Sequence, residues 1–286
     1  MKYLKHTRAT RVRIDSYLAQ YFPEHSRSAW QKYIAAGYVK VNGEVVTSNK
    51  LTLGEDDEVT ADTNSKLHDF SIDLPVIYED DNAVVINKPV GVLSHAKGGI
   101  VEEATVADFF KSKTSYGSDT NRPGIIHRLD RATSGVMLGA KNHETASQLQ
   151  KQFSKRKVKK TYIAIVKGTP KEAEAHIELP IERNPSHPSQ FRVGANGKFA
   201  ATSYEVMESK NGKSMVKLKP ETGRTHQIRV HMAHIGNPII GDIVYGKSAD
   251  RMYLHALSLE ITLPGGERKV FEAPLPDEFQ EEMDKK

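Results

Sequence analysis

One stretch, Gly124-Ile125-Ile126-His127-Arg128-Leu129-Asp130-Arg131-Ala132-Thr133-Ser134-Gly135, sets a single carboxylate between two arginines. Two guanidinium groups lower the cost of keeping a carboxylate ionised in a poorly hydrated cleft, and they also suit a ligand that carries phosphates. The apolar run Val136-Met137-Leu138 follows the Thr-Ser-Gly turn and predicts a strand, which puts Asp130 on the loop feeding it. Charge alone leaves a plain surface loop open, because most arginine–aspartate clusters are ordinary ion pairs. Further on, Lys151, Lys155, Arg156, Lys157, Lys159, Lys160, Lys167 and Lys171 occur with no acid between Glu144 and Glu172. This run feeds the strand Thr161-Tyr162-Ile163-Ala164-Ile165-Val166. Beside a cleft, such a basic lip would hold a phosphate backbone without reading its sequence.

Other chemistries are disfavoured. Cysteine is absent, which excludes disulfides, thiolate catalysis and cysteine zinc sites and suits a reducing cytoplasm. His226, His231 and His234 lack the spacing of a zinc site with an accompanying acid, so no metal is expected. Neither G-x-G-x-x-G nor a P-loop is present, so no nucleotide cofactor, and no cofactor of any kind, is expected. No apolar run reaches about eighteen residues, which predicts no membrane span. The charged residues 1–6 predict no secretion leader. The net charge of +5 is compatible with a polyanionic partner.

The elements that must position these groups can be read in order. Ile14, Leu18 and Phe22 recur at helical spacing and predict a first helix closed by Pro23. Ser26 is a good N-cap for a second, with Trp30 and Ile34 on one face and Arg27, Gln31 and Lys32 on the polar side. Asn42-Gly43 between Tyr38-Val39-Lys40-Val41 and Glu44-Val45-Val46 predicts a hairpin. Residues 1–60 thus form a small unit, strongly basic over residues 1–50 with acids clustered at Glu55-Asp56-Asp57-Glu58, residues 61–73 a polar linker, and residues 74–286 a large domain. In that domain a strand after Leu74-Pro75 turns at Asp81-Asn82 into Ala83-Val84-Val85-Ile86. A short helix is expected around residues 105–110, and Asn142 caps a helix carrying Ala146, Leu149 and Phe153. Residues 172–220 read as short strands and loops, with turns at Pro180, Pro185, Pro188 and Gly194-Ala195-Asn196-Gly197-Lys198. Gly223 marks a turn, Thr225 is a candidate N-cap, and Ile228, Met232 and Ile235 make a stripe ending at Gly236-Asn237-Pro238. Arg229 then sits in the first turns of a helix leaving a sheet. Residues 277–286 read as a frayed helix. Runs of strands with helices between them indicate an α+β class.

Helix, helix, hairpin resembles the S4-like RNA-binding domain. In that family the second helix and its approach carry phosphate contacts, which makes Arg11, Arg27, Ser28 and Lys32 the candidates. His127-Arg128-Leu129-Asp130 followed by Thr133-Ser134-Gly135 resembles the signature of the RluA-type pseudouridine synthases. Three more stretches resemble that family in the right order. Asn87-Lys88-Pro89-Val90-Gly91 is similar to its first, mainly architectural motif, and Lys88 and His95 are read as structural or RNA-facing. Lys160-Thr161-Tyr162-x-Ala164-x-Val166-x-Gly168 and Thr222-Gly223-Arg224-Thr225-His226-Gln227-Ile228-Arg229 are the others. Lys198, Ala200 and Thr202 match a "K-x-A-x-T" strand loosely, and Pro238-Ile239-Ile240-Gly241-Asp242-x-x-Tyr245-Gly246 and Leu254-His255-Ala256 also fit. The resemblance implies that Asp130 is the essential catalytic residue, that Tyr162 lies against the target uracil, and that Arg229 pairs with the Asp, with Arg224 a second candidate. It also suggests that Arg128 fills the space a flipped base vacates. Arg131, Lys157 and Lys159 join Arg128 and Arg224 as expected RNA contacts.

The implied fold is a pseudouridine synthase fold: a central mixed, largely antiparallel sheet crossed by the active cleft and preceded by the S4-like domain. The implied reaction breaks the bond from ribose to the uracil nitrogen, turns the base and rejoins it through C5. A carboxylate could attack or stabilise the ribose carbon, or remove the 2′ proton and pass through an unsaturated sugar. The expected partner is RNA, ribosomal RNA of the large subunit first and transfer RNA second, for a cytoplasmic monomer. Two other classes stay in view. One is a non-catalytic RNA-binding or ribosome-assembly factor of the same fold, which intact Asp130, Tyr162 and Arg229 argue against. The other is a hydrolase of nucleosidic bonds, which would want a second acid near the first.

Overall fold

The structure is a computed structural model that describes residues 2–5, 11–62, 70–96 and 103–286. Residues 63–69 of the expected linker lie outside the described residues. The chain divides into two compact units, Met1–Ile72 with His95–Asp108, and Asp73–Ser94 with Phe109–Lys286.

The first unit contains β1 (Lys2–Lys5), β2 (Val12–Arg13), α1 (Ile14–Tyr21), α2 (Arg27–Ala35), β3 (Val39–Val41), β4 (Glu44–Val45), β5 (Thr52–Leu53) and β6 (Glu58–Ala61). Ser26 caps α2 as expected, its hydroxyl accepting from the Ala29 N–H at 3.3 Å. Asn42 and Gly43 both take positive φ, which a two-residue hairpin turn of this hand demands. The strand order is β1-β6-β3-β4. Trp30, Tyr17, Leu18 and Ile34 fill the core between helices and sheet.

Asp15 is fully buried on α1 and organises the polar side of this unit. Arg27 donates to it from Nε and Nη2 at 3.0 and 3.3 Å, Gln31 at 2.7 Å, and Arg13 at 2.9 and 3.1 Å. Arg27, expected to contact phosphate, is therefore committed to a buried carboxylate, because an unpaired charge there would be expensive. Arg11, Ser28 and Lys32 lie on the surface. Burial pushes the Asp15 carboxyl up, but the bonds from Arg27, Gln31 and Arg13 outweigh it and hold the group at about 2. Asp15 thus contributes stability that is present above the unfolded value near 4 and lost as pH falls towards 2. We expect Asp15→Asn to lower the stability of this unit by about 2 kcal/mol at neutral pH, with the deficit vanishing near pH 2. Urea denaturation of the full chain across that range checks it.

The second unit is built from β7 (Val76–Glu79), β8 (Ala83–Lys88), α3 (Val106–Lys111), which begins just before it, β9 (Ser134–Ala140), α4 (His143–Ser154), β10 (Lys159–Lys167), β11 (Glu174–Glu178), β12 (Ile181–Arg183), β13 (Phe191–Val193), β14 (Ala201–Lys210), β15 (Lys213–Pro220), α5 (Gln227–His234), β16 (Leu254–Thr262), β17 (Arg268–Glu272) and α6 (Glu278–Asp284). Its large sheet runs β11-β14-β15-β10-β16-β9-β8-β7, with β17 also on β16. Every pairing is antiparallel except β16 with β9. The α+β class and the mixed, largely antiparallel sheet hold.

β10 is apolar along its middle because both faces are covered. Ala164 and Val166 pack with Ile228 and Met232 of α5, and Ile163 and Ile165 with Phe279 and Met283 of α6. Two expectations change. Residues 201–220 form a hairpin of ten- and eight-residue strands joined at Asn211-Gly212, not short pieces. Residues 278–284 are docked, not frayed. Phe279 and Met283 are fully buried, and Lys213 pairs with Glu282 at 2.7 Å. Among the described residues no helix is long and apolar enough to cross a membrane.

The expected Thr-Ser-Gly turn is displaced to Arg131-Ala132, since Ser134 and Gly135 already belong to β9, and the parallel junction of β9 and β16 explains the glycine. Gly135 opposes Ala256 with φ of +112°. A Cβ there would lie 2.2 Å from the Ala256 carbonyl oxygen and 2.6 Å from its nitrogen. Backbone cannot yield as a side chain can. Gly135→Ala should cost at least about 3 kcal/mol, read as a drop in the urea midpoint.

Candidate active site

Sheet register brings the distant motifs together. Gly135, Ala256, Tyr162 and Leu218 stand opposite one another on β9, β16, β10 and β15. Asp130 lies five residues before Gly135, and the loop leading to α5 leaves the end of β15. Around them opens a cleft of about 570 Å³, lined by Asp130, Tyr162 and Arg229, with Arg128 and Arg224 also on its wall.

The loop carrying Asp130 is pinned by its backbone. Ser94 Oγ donates to the Leu129 carbonyl at 2.7 Å and accepts from the Leu129 N–H at 3.2 Å. The Arg131 carbonyl accepts from the Gly91 N–H at 2.8 Å and from Lys88 Nζ at 3.4 Å. Lys88 is fully buried and also donates to the carbonyls of Pro89 and Val92. Burial lowers its ammonium to about 7, partly opposed by the Asp130 charge. The Lys-Pro-x-Gly turn is thus a bracket for the Asp loop. His127 is structural too. It stacks on Phe153, its Nε2 accepts from the Leu138 N–H at 2.9 Å, and burial holds it neutral at about 3.

Asp130 keeps about a fifth of its side chain exposed to the cleft. Arg229 Nη1 donates to its Oδ2 at 3.1 Å. The other side of the guanidinium is held by Asp242, with Nε to Oδ2 at 2.7 Å and Nη2 to Oδ1 at 2.8 Å. Asp242 is fully buried, and its Oδ1 also accepts from the N–H groups of Val244 and Tyr245. Arg229 therefore cannot rotate without losing a bidentate pair, and its free edge aims at Asp130. Burial opposes the charge on Asp242, yet Arg229 and the two backbone donors hold its carboxyl below the usual range.

His226 lies beside the pair, its Nε2 3.7 Å from Asp130 Oδ2. Its Nδ1 is 2.9 Å from the Tyr245 hydroxyl, which accepts from the Phe191 N–H. His226, not Thr225, caps α5, and it does so in the left-handed conformation with φ of +57°. No side chain caps the helix by a hydrogen bond, and Gln227 instead ties down the preceding loop, its Oε1 accepting from Thr222 Oγ1 and the Arg224 N–H. Its Nε2 donates to Ala201 O and Thr202 Oγ1, so Thr202 anchors the loop that delivers Arg229.

Tyr162 is half-buried on β10. Burial first, and the Asp130 charge second, push its phenol well above the usual tyrosine range. The hydroxyl stays protonated and the ring offers a flat apolar face. Lys160, two residues earlier, donates to the Thr222 carbonyl at 3.0 Å, and burial lowers it to about 8.

Not every expected residue faces Asp130 or lines the cleft. Arg224 is on the cleft wall but donates to the Phe199 carbonyl, not to Asp130. Lys159 pairs with Glu260 at 3.2 Å, and Lys157 and Arg131 are exposed and do not line the cleft. Asp242, Tyr245 and His226 lie inside the motifs that carry the family resemblance, but the resemblance implies no role for them. Only the Gly-Asp-x-x-Tyr spacing after α5 hinted at the first two. No cluster that could hold a metal occurs among the described residues.

The sequence profile of the family described as RNA pseudouridylate synthase matches residues 82–234, which contain the Asp loop, β10 and α5. The chain belongs to this family. It is an RNA pseudouridine synthase, and an S4 domain profile matches residues 12–59. The ribosomal large subunit pseudouridine synthase D of Nitrosomonas europaea is 36% identical over 285 residues, covering 94% of this chain and 82% of the relative. That of Borreliella burgdorferi is 37% identical over 290 residues, covering 94% and 87%. The solved structure of human RNA pseudouridylate synthase domain containing 1 superposes with a TM-score of 0.59 at 29% identity, covering 74% of the synthase and 86% of the human chain.

Proposed function

We propose that this chain converts uridine to pseudouridine in large-subunit ribosomal RNA, with Asp130 as the catalytic residue. The observation that carries the assignment is that, of the two carboxylates lining the cleft, Asp130 is aimed by a buried Asp242–Arg229 pair, whereas Glu221 is exposed beside His176. Support for the substrate comes from relatives named as large-subunit synthases that span most of the chain.

The target base must leave its stack to enter the cleft, which costs a few kcal/mol and favours loops and bulges. Arg128, exposed at the rim, fills the vacated place. Tyr162 then holds the uracil against its ring. Asp130 acts on the ribose, either by attack at C1′ as the bond to N1 breaks or by removing the 2′ proton. Both routes need an ionised, aimed carboxylate. The uracil turns, C5 bonds to C1′, C5 loses its proton and N1 gains one, so composition is unchanged and no cofactor is consumed. The protonated Tyr162 phenol serves as hydrogen-bond donor to the turning base.

Residues 1–60 act as an RNA-binding module joined by residues 61–73 to the catalytic domain of residues 74–286. Arg11, Ser28 and Lys32 carry its phosphate contacts. The protein works as a monomer in the cytoplasm, on ribosomal in preference to transfer RNA.

The test is a pseudouridine map of total RNA, by carbodiimide labelling and primer extension, from cells with and without the gene. Loss of one or a few large-subunit sites, restored by the wild-type gene, is expected. Loss confined to transfer RNA would overturn the substrate assignment. Release of free uracil by purified protein would instead favour the hydrolase.

A further inference from the structure

We propose that Phe199 and Arg156 form a stacking platform for a nucleotide adjoining the target uridine, an inference that rests on the function proposed above. Phe199 precedes β14 and is 44% exposed, although a phenylalanine gains nothing from water. The Arg156 guanidinium carbon lies 5.3 Å from the centre of its ring. Arg224 Nε donates to its carbonyl at 2.9 Å. Both arginines line the Asp130 cleft, and Phe199, outside the lining itself, is held against them beside it.

The backbone at Arg156 is the second observation. The Lys157 N–H donates to the Gln152 carbonyl and the Arg156 N–H to that of Phe153, which ends α4 in a Schellman turn. Its left-handed position is Arg156 itself, with φ of +57°. Glycine fits that place without strain, and arginine does not. A strained residue is kept where its side chain does something the backbone preference does not reward. Here the turn throws a guanidinium across an exposed ring at the lip of an RNA cleft.

An aromatic face with a flanking arginine is how proteins hold unstacked bases regardless of sequence. When the target uridine flips out, its neighbour loses a stacking partner, and Phe199 with Arg156 can replace it. Arg224, fixed below, offers its charge to the intervening phosphate. The ligand class is a single-stranded nucleotide next to the flipped base, bound by stacking.

The probe is unmodified large-subunit ribosomal RNA transcript to map the target, then short oligonucleotides with an abasic ribose at each flanking position in turn. Phe199→Leu should weaken binding of the intact oligonucleotide about 5- to 150-fold, the range for removing a stacking aromatic, while Phe199→Trp restores it. The loss should disappear on the one oligonucleotide whose abasic position removes the stacked base. Arg156→Gly should bind more weakly yet unfold at the same or a higher temperature, since glycine relieves the turn. Unchanged affinity of Phe199→Leu overturns the platform, as does an equal loss on every abasic oligonucleotide. Wild-type protein that binds but forms no pseudouridine overturns the proposed function instead, because binding and turnover are read separately.

Discussion

Asp130→Asn is expected to abolish pseudouridine formation, lowering kcat at least about 10⁴-fold, while RNA affinity stays within about threefold of wild type. Asparagine keeps the shape of the side chain and still accepts the Arg229 Nη1 bond. It loses the charge and lone-pair strength that either route at the ribose requires. The fold does not depend on this carboxylate. Its loop is held by Ser94, Gly91 and Lys88 through main-chain atoms, and Arg229 keeps its bidentate pair with Asp242. Unfolding free energy should therefore move by no more than about 1 kcal/mol. Asp130→Glu separates charge from placement. It restores the charge, but an added methylene carries the carboxylate past the aim of Arg229, so activity should remain low. The measurement is single-turnover conversion of unmodified large-subunit RNA beside a gel-shift titration. Turnover by Asp130→Asn within tenfold of wild type would sink the assignment.

How much of this was legible in the sequence follows from how local each cause is. The N-cap at Ser26, the Asn42-Gly43 turn and the strand through Val136-Met137-Leu138 depend on neighbouring residues, and all formed as expected. The pairing of Arg229 with Asp130 was implied by resemblance and spans 99 positions, which no periodicity reveals. Asp242 was invisible as a functional group because its task is to hold another side chain. A carboxylate in a sequence motif looks the same whether it serves the fold or the site. The structural task of Arg27 was hidden for the converse reason. It lies on the polar side of α2, yet its partner Asp15 is a dozen residues back and fully buried. The β14–β15 hairpin was obscured by polar residues such as Glu205 and Lys217, which pair across the strands at 3.0 Å. The docking of α6 was hidden by its charge, although Phe279 and Met283 stand at i, i+4 on one face.

Asp242→Asn should have the second largest effect, and it tests whether the site is one unit or a pair of neighbours. Asp242 satisfies Arg229 with both oxygens and takes two backbone donors besides. An amide in its place turns an NH₂ group on the guanidinium, donor against donor, and removes the charge that balances a buried cation. Breaking such a pair costs about 3–5 kcal/mol. Arg229, freed on that side, rotates to take Asp130 through both nitrogens, so the carboxylate is held by the cation instead of being presented to the ribose. The kcat should fall about 10²- to 10³-fold with KM little changed, since no RNA contact is lost. A merely destabilised protein would recover kcat once assayed well below its unfolding temperature. A mispositioned one would not. The decisive comparison is a cycle with Arg229→Lys, which cannot make the bidentate pair. If Asp242 works through Arg229, adding Asp242→Asn to Arg229→Lys changes kcat by less than about threefold. If the two losses multiply, Asp242 reaches the reaction by another path and the buried pair is not what aims Asp130.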